Sequence, residues 1–161
     1  VRHWGFDRRM HRGQIIVHHR VAAGVVDVFR VLFDHRFPMR RIELEDRYEG
    51  TTNGSTLANN TTGFDCRPVT GGTRWSRHSY GLAIDINPLQ NPYVYADGRV
   101  TDPRAERYRD RTQRLPGMIH ADDFVVRAFA RIGWRWGGDF RTTPDYQHFD
   151  LDPARLRAAR S

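Results

Sequence analysis

Two short stretches of this 161-residue sequence crowd together the side chains that do chemistry. The first runs Ser76-Arg77-His78-Ser79-Tyr80-Gly81-Leu82-Ala83-Ile84-Asp85, and the second Asp145-Tyr146-Gln147-His148-Phe149. Two imidazoles and a carboxylate, here His78, His148 and Asp85, suit a catalytic zinc, because three protein ligands leave a fourth position for water. Zinc lowers the pKa of that water towards about 7 and polarises a carbonyl, and a neighbouring carboxylate must then carry the proton to a leaving amine. Asp145, three residues before His148, is the candidate for that task. Taken singly, each residue has an ordinary explanation: a surface or core histidine, or a turn aspartate after Pro144. Other local signatures are missing. There is no H-E-x-x-H helix, G-x-S-x-G elbow, P-loop or dinucleotide fingerprint.

The elements that must position these residues can be read from periodicity. Gly81 to Asn87 reads as a strand with Ile84 and Ile86 on one face and Ala83, Asp85 and Asn87 on the other, which offers a carboxylate opposite a buried face. Tyr146 to Leu151 reads as a final strand. Residues three apart on a strand face opposite sides, so Asp145 belongs to the loop leading in and His148 to the strand itself. Gln14 to His19, Arg41 to Tyr48 and Phe64 to Arg67 read as further strands, and residues 49–62, rich in Gly, Thr, Asn and Ser, as a loop. Asp97-Gly98 within Val94 to Thr101 signals a hairpin.

Val25, Val28, Phe29, Leu32 and Phe33 lie at helical spacing, and Pro38 ends that helix by Phe37. A second helix carries Phe124, Val125, Ala128, Phe129 and Ile132, with Asp122 or Asp123 as its cap and Gly133 past its end. Asp152-Pro153 opens a C-terminal helix. The expected fold class is α+β, a small antiparallel sheet flanked by helices, in a single domain over residues 1–161 with no internal repeat or linker.

Composition narrows the possibilities. No apolar run approaches the about 18 residues needed to cross a bilayer. One cysteine, Cys66, excludes an internal disulfide framework and a multi-cysteine zinc site. All 26 basic residues are arginine, for which coding bias is explanation enough, and the net charge is +7. That surplus attracts polyanions: nucleic acid, anionic membrane or an anionic cell-envelope polymer. The arginines are spread along the chain rather than gathered in a stripe interleaved with aromatics, which speaks against nucleic acid. A thiolate nucleophile at Cys66, beside Arg67, would leave Asp85 and Asp145 without a purpose.

The pattern Ser76-x-His78-x-x-Gly81-x-Ala83-x-Asp85, followed by Trp136-Gly137-Gly138-Asp139-Phe140 and Asp145-x-x-His148-Phe149, resembles the zinc D-alanyl-D-alanine carboxypeptidase and L-alanyl-D-glutamate endopeptidase family. These are VanY-like cell-wall peptidases that share the Hedgehog/DD-peptidase fold. The resemblance implies a zinc peptidase acting on peptidoglycan stem peptides, with His78, Asp85 and His148 as metal ligands and Asp145 as general base. Asp where many members have Glu fits the wall-endopeptidase branch better than the dipeptidase branch. It further implies Arg67 as the group that stabilises the oxyanion.

Ser76, Tyr80 and Trp136 are the candidates for substrate contact, although Ser76 has an equally good structural role in its loop. Trp134 and Trp136 wall the cleft or fill the core, and Asp139 orients a ligand imidazole or closes a turn. A monomer that is secreted or held in the cell envelope is expected. The chain itself begins at Val1 without a leader, through removal or trimming. The alternative reading is a non-catalytic zinc-containing wall-binding or signalling domain on the same scaffold.

Overall fold

The computed structural model describes residues 1–48 and 52–158. Its centre is a three-stranded antiparallel sheet in the order β5 (Ala83–Asp85), β7 (His148–Asp150), β6 (Arg135–Trp136). The alternation expected of β7 holds: Phe149 is fully buried on one face, while His148 and Asp150 project from the other. Behind the apolar face lies helix α3 (Phe124–Arg131), whose Phe129 ring stacks on Phe149 with centroids 4.0 Å apart. Against α3 packs α1 (Ala22–Asp34), which buries Val25, Val28, Phe29 and Leu32, the stripe its spacing predicts. Ile84, Ile86, Leu151, Trp134 and Trp136 complete this core. Deleting a ring such as Phe149 from it would cost about 3–5 kcal/mol.

The helix boundaries follow their signals closely. Gly133, at φ 81°, lies just past α3. Asp123 occupies the N-cap position, but its Oδ2 accepts from His120 N instead of capping the helix. Asp152 Oδ1 accepts from Ala154 N at the start of α4 (Pro153–Ala158). The Asp97-Gly98 turn closes the expected hairpin, with Val94 opposite Val100.

Several expected strands are shorter or absent. An N-terminal hairpin of β1 (Arg2–Trp4) and β2 (Met10–Arg12) precedes Gln14 to His19, which are not in a ladder and make only single bonds, such as Gln14 N to Ile42 O and His18 N to Gly81 O. Arg41 to Tyr48 is a strand only over β3 (Arg41–Ile42), because Glu45 and Asp46 open a 3-10 turn at Glu45–Tyr48. Phe64 to Arg67 likewise joins no ladder.

The segment 49–62 is not a loop throughout. It holds helix α2 (Thr52–Leu57) and β4 (Asn60–Thr61), the latter parallel to β3, while residues 49–51 lie outside the described residues. Its polar composition misleads because the polar groups are buried by pairing. Asn60 donates to Glu43 O and accepts from Glu43 N, both at 2.9 Å, and Ser55 Oγ donates to Glu45. No helix among the described residues is long and apolar enough to cross a membrane.

Candidate metal centre

His78 enters the site from a 3-10 turn, Arg77–Tyr80. Ser76 caps that turn: its Oγ accepts from His78 N at 3.3 Å, and the residue is buried. Gly81 ends it at φ 64°, where a Cβ would stand 2.5 Å from His18 N, so the close approach of the 17–18 backbone requires glycine. Asp85 and His148 come from β5 and β7, where they are directly paired. Their side chains therefore share one face of the sheet.

The three ligand candidates converge. His148 Nδ1 lies 2.9 Å from Asp85 Oδ1, His78 Nε2 lies 3.3 Å from Asp85 Oδ2, and the two ring nitrogens are 3.3 Å apart. One ligand atom from each falls within 4.8 Å of the others. His78 and Asp85 are buried, at 1% and 7% exposure. Two imidazole nitrogens bonded to one tetrahedral zinc at about 2.0–2.1 Å are separated by about 3.3–3.4 Å, so the spacing present here fits that ion.

The outer groups fix the rings. His78 Nδ1 donates to the Gly63 carbonyl at 2.7 Å, which turns the lone pair of Nε2 towards the centre. The far nitrogen of His148, Nε2, faces Asp150 Oδ2 at 3.9 Å. Asp150 is in turn gripped by Arg77 Nε at 2.8 Å and by both Nε and Nη2 of Arg135 at 3.0 Å. Neither the Gly63 carbonyl nor Asp150 is anticipated by the motif. Asp150 had a signal, since it lies two residues from His148 on one strand and so on the same face, whereas a backbone carbonyl has none.

Asp145 stands at the entrance to β7. Its N donates to Gly137 O at 2.9 Å and its O accepts from His148 N at 3.1 Å, so its backbone is held on both sides. Gly137 allows this approach, because a Cβ there would lie 2.7 Å from Asp145 O and 3.1 Å from the Cβ atoms of Asp145 and His148. Asp145 Oδ1 is buried and has no hydrogen-bond partner among the described residues.

Electrostatics separate the two carboxylates. Burial opposes the charge on Asp85, but the imidazoles of His78 and His148 outweigh it and hold Asp85 well below the usual carboxylate range. Burial pushes Asp145 up to about 7, the imidazoles of His148 and His78 opposing and the Asp85 charge adding to the rise. Burial also works against a charged His148, yet the neighbouring carboxylates of Asp150, Asp85 and Asp145 carry it to about 10. Asp150 falls to about 2, because His148 and Arg135 overcome its desolvation. The two buried carboxylates are thus pushed apart, Asp85 down by its imidazole partners and Asp145 up by burial.

The remaining candidates divide. Arg67 is tied to the turn that carries His78, its N donating to Ser79 Oγ at 3.1 Å, and its guanidinium meets Asp65 at 2.8 Å and the Pro68 carbonyl at 3.3 Å. Tyr80 is 53% exposed on that same turn. Trp136 is a buried core residue whose Nε1 donates to Tyr146 O at 2.9 Å, and Trp134 is buried as well. Asp139 is exposed, and the imidazoles instead meet the Gly63 carbonyl, by a hydrogen bond, and Asp150, as an ion pair at 3.9 Å. Cys66 is exposed.

A family model described as D-alanyl-D-alanine carboxypeptidase matches residues 70–151 of the chain. The matched span includes His78, Asp85, Asp145 and His148 and ends short of Arg67 on its N-terminal side. No curated protein and no solved structure matches the chain.

Proposed function

Because the chain belongs to the D-alanyl-D-alanine carboxypeptidase family, we propose that it is a zinc-dependent peptidase hydrolysing a peptide bond in peptidoglycan stem peptides. The observation that carries this reading is the buried, unpartnered Oδ1 of Asp145 beside the convergent His78, Asp85 and His148. A site that only held a structural ion would have no use for a desolvated carboxylate poised near neutrality.

His78, Asp85 and His148 would hold the zinc, which when bound supplies an acidified water and polarises the scissile carbonyl. Asp145 accepts the proton of the attacking water and delivers it to the leaving amine. Its backbone bonds to Gly137 and His148 keep the carboxylate at a constant distance from the ligands through both transfers. Arg67, whose backbone bonds Ser79 and whose guanidinium is held by Asp65, is the cationic group assigned to the oxyanion. Ser76 acts through His78, whose backbone it caps. Tyr80 lies exposed on the ligand-bearing turn as a contact for the peptide.

The chain would work as a secreted or envelope-held monomer, and its arginine surplus would keep it near anionic wall polymer. The test is a digest of purified wall by the zinc-loaded chain, read by mass spectrometry. Loss of terminal D-alanine marks carboxypeptidase action, and new L-alanine termini mark endopeptidase action. Asp145→Ala should lower the rate by about 10²–10⁴ while zinc stays bound. A wild-type protein saturated with zinc that releases nothing from wall overturns the reading.

A further inference from the structure

The row of side chains that carries the metal centre does not stop at Asp85. On the outer edge of β5, Thr62 pairs with Asp85 through two backbone bonds, Thr62 N to Asp85 O at 3.0 Å and Asp85 N to Thr62 O at 2.9 Å. Residues directly opposed in an antiparallel pair present their side chains on one face, so His148, Asp85 and Thr62 form a single line across it. Beyond Thr62 stands Glu45, which lines one small cavity together with Thr62 and Gly63.

Glu45 is a built group. Ser55 Oγ donates to its Oε1 at 2.7 Å, and Ser55 is itself buried and accepts from Asn60 Nδ2 at 3.1 Å. The other oxygen, Oε2, is buried and finds no hydrogen-bond partner among the described residues. An orphaned carboxylate oxygen costs free energy unless a donor arrives. This one sits at the end of the ligand row, against Gly63, whose carbonyl orients His78. No motif marks it, and the proposed hydrolysis does not use it.

Resting on the peptidase reading above, we propose that Glu45 is a substrate-binding residue whose Oε2 receives a primary ammonium group of the peptide. The carboxylate supplies what an ammonium needs, a fixed anion with a free lone pair, and the shelter around it makes the pair stronger than a surface contact. A stem peptide offers the side-chain amine of a diamino residue and, once released from the glycan, an N-terminal amine as well, and the same chemistry serves either.

The test uses the pentapeptide L-Ala-D-Glu-L-Lys-D-Ala-D-Ala in three forms: free, acetylated at the N-terminus, and acetylated at the lysine side chain. Binding to the metal-free protein is measured by calorimetry, and turnover separately with zinc. Acetylating the amine that Glu45 receives should weaken wild-type binding about tenfold, and the other acetyl group should not, which identifies the amine. In Glu45→Gln, and in Glu45→Ala as a second variant with its melting temperature checked, the free and acetylated forms should bind equally. Binding that ignores both acetyl groups, or a preference that survives both variants, overturns the proposal. Amine-dependent binding without turnover would instead leave Glu45 assigned and remove the peptidase reading, so the two failures are distinct.

Discussion

Asp85 and His148 face each other across the β5–β7 pair, with Asp85 Oδ1 2.9 Å from His148 Nδ1. In the metal-free protein this contact is a hydrogen bond with the proton on His148, whose pKa Asp150 and Asp85 raise to about 10. A metal can take Nδ1 only as that proton leaves. Zinc binding at pH 7 should therefore release about one proton from His148. Affinity should rise with pH, by about tenfold per unit below the pKa of His148. Calorimetry in buffers of different ionisation enthalpy measures the number released. Affinity that stays level between pH 6 and pH 8 would contradict the assignment of His148 as a ligand.

Asp150 is the second partner of that imidazole. Its grip on His148 is loose, at 3.9 Å, but Arg77 and Arg135 clamp it in place from two sides. Asp150→Asn keeps the shape and removes the charge that makes the ring a better donor. Zinc affinity should fall about 10–100-fold, the range seen when such outer partners are removed. The change should appear in a competition titration against a chromophoric chelator. Equal affinity in the two proteins would mean that Asp150 serves only the arginines.

Gly137 makes a prediction about position alone. A methyl group there cannot fit 2.7 Å from Asp145 O, and the backbone that must yield is the one that holds the proposed base. Gly137→Ala should displace Asp145 and lower kcat by about 10²-fold, because an error of about 1 Å in a reacting group costs that much. KM should move far less. A variant that loses zinc in step with activity would show that His148, whose Cβ lies 3.1 Å from the added methyl group, had moved instead.

Much of this arrangement is legible in the sequence because it rests on period. The alternation Ile84-Asp85-Ile86 put isoleucines in the core and the carboxylate on the site face, and the spacing from Val25 to Leu32 gave the buried stripe of α1. The ligand types and their order pointed to the centre itself. What escaped has no period. The Gly63 carbonyl carries no residue identity, and Asn60 and Ser55 look like loop residues until Glu43 and Glu45 come to meet them. Trp136 illustrates a third kind of difficulty. An indole suits a cleft wall and a core equally, and only its bond to Tyr146 O and its burial decide for the core.

His3 on β1 is 3% exposed, its Nδ1 has no partner among the described residues, and its ring stacks on His11 with centroids 5.5 Å apart. Burial first, then the charge of His11, lowers its pKa from 6.5 to about 4. Between those values the unfolded chain binds a proton that the folded chain refuses. Stability is therefore fully present above about pH 6.5 and declines as pH falls towards 4, by about 3 kcal/mol for a shift of this size. His3→Gln cannot take up that proton in either state. Denaturant unfolding of both proteins at pH 7.5, 6 and 5 should show the wild type losing its advantage step by step while the variant changes less. Parallel curves would mean that His3 is as easily charged in the folded protein as in the unfolded chain.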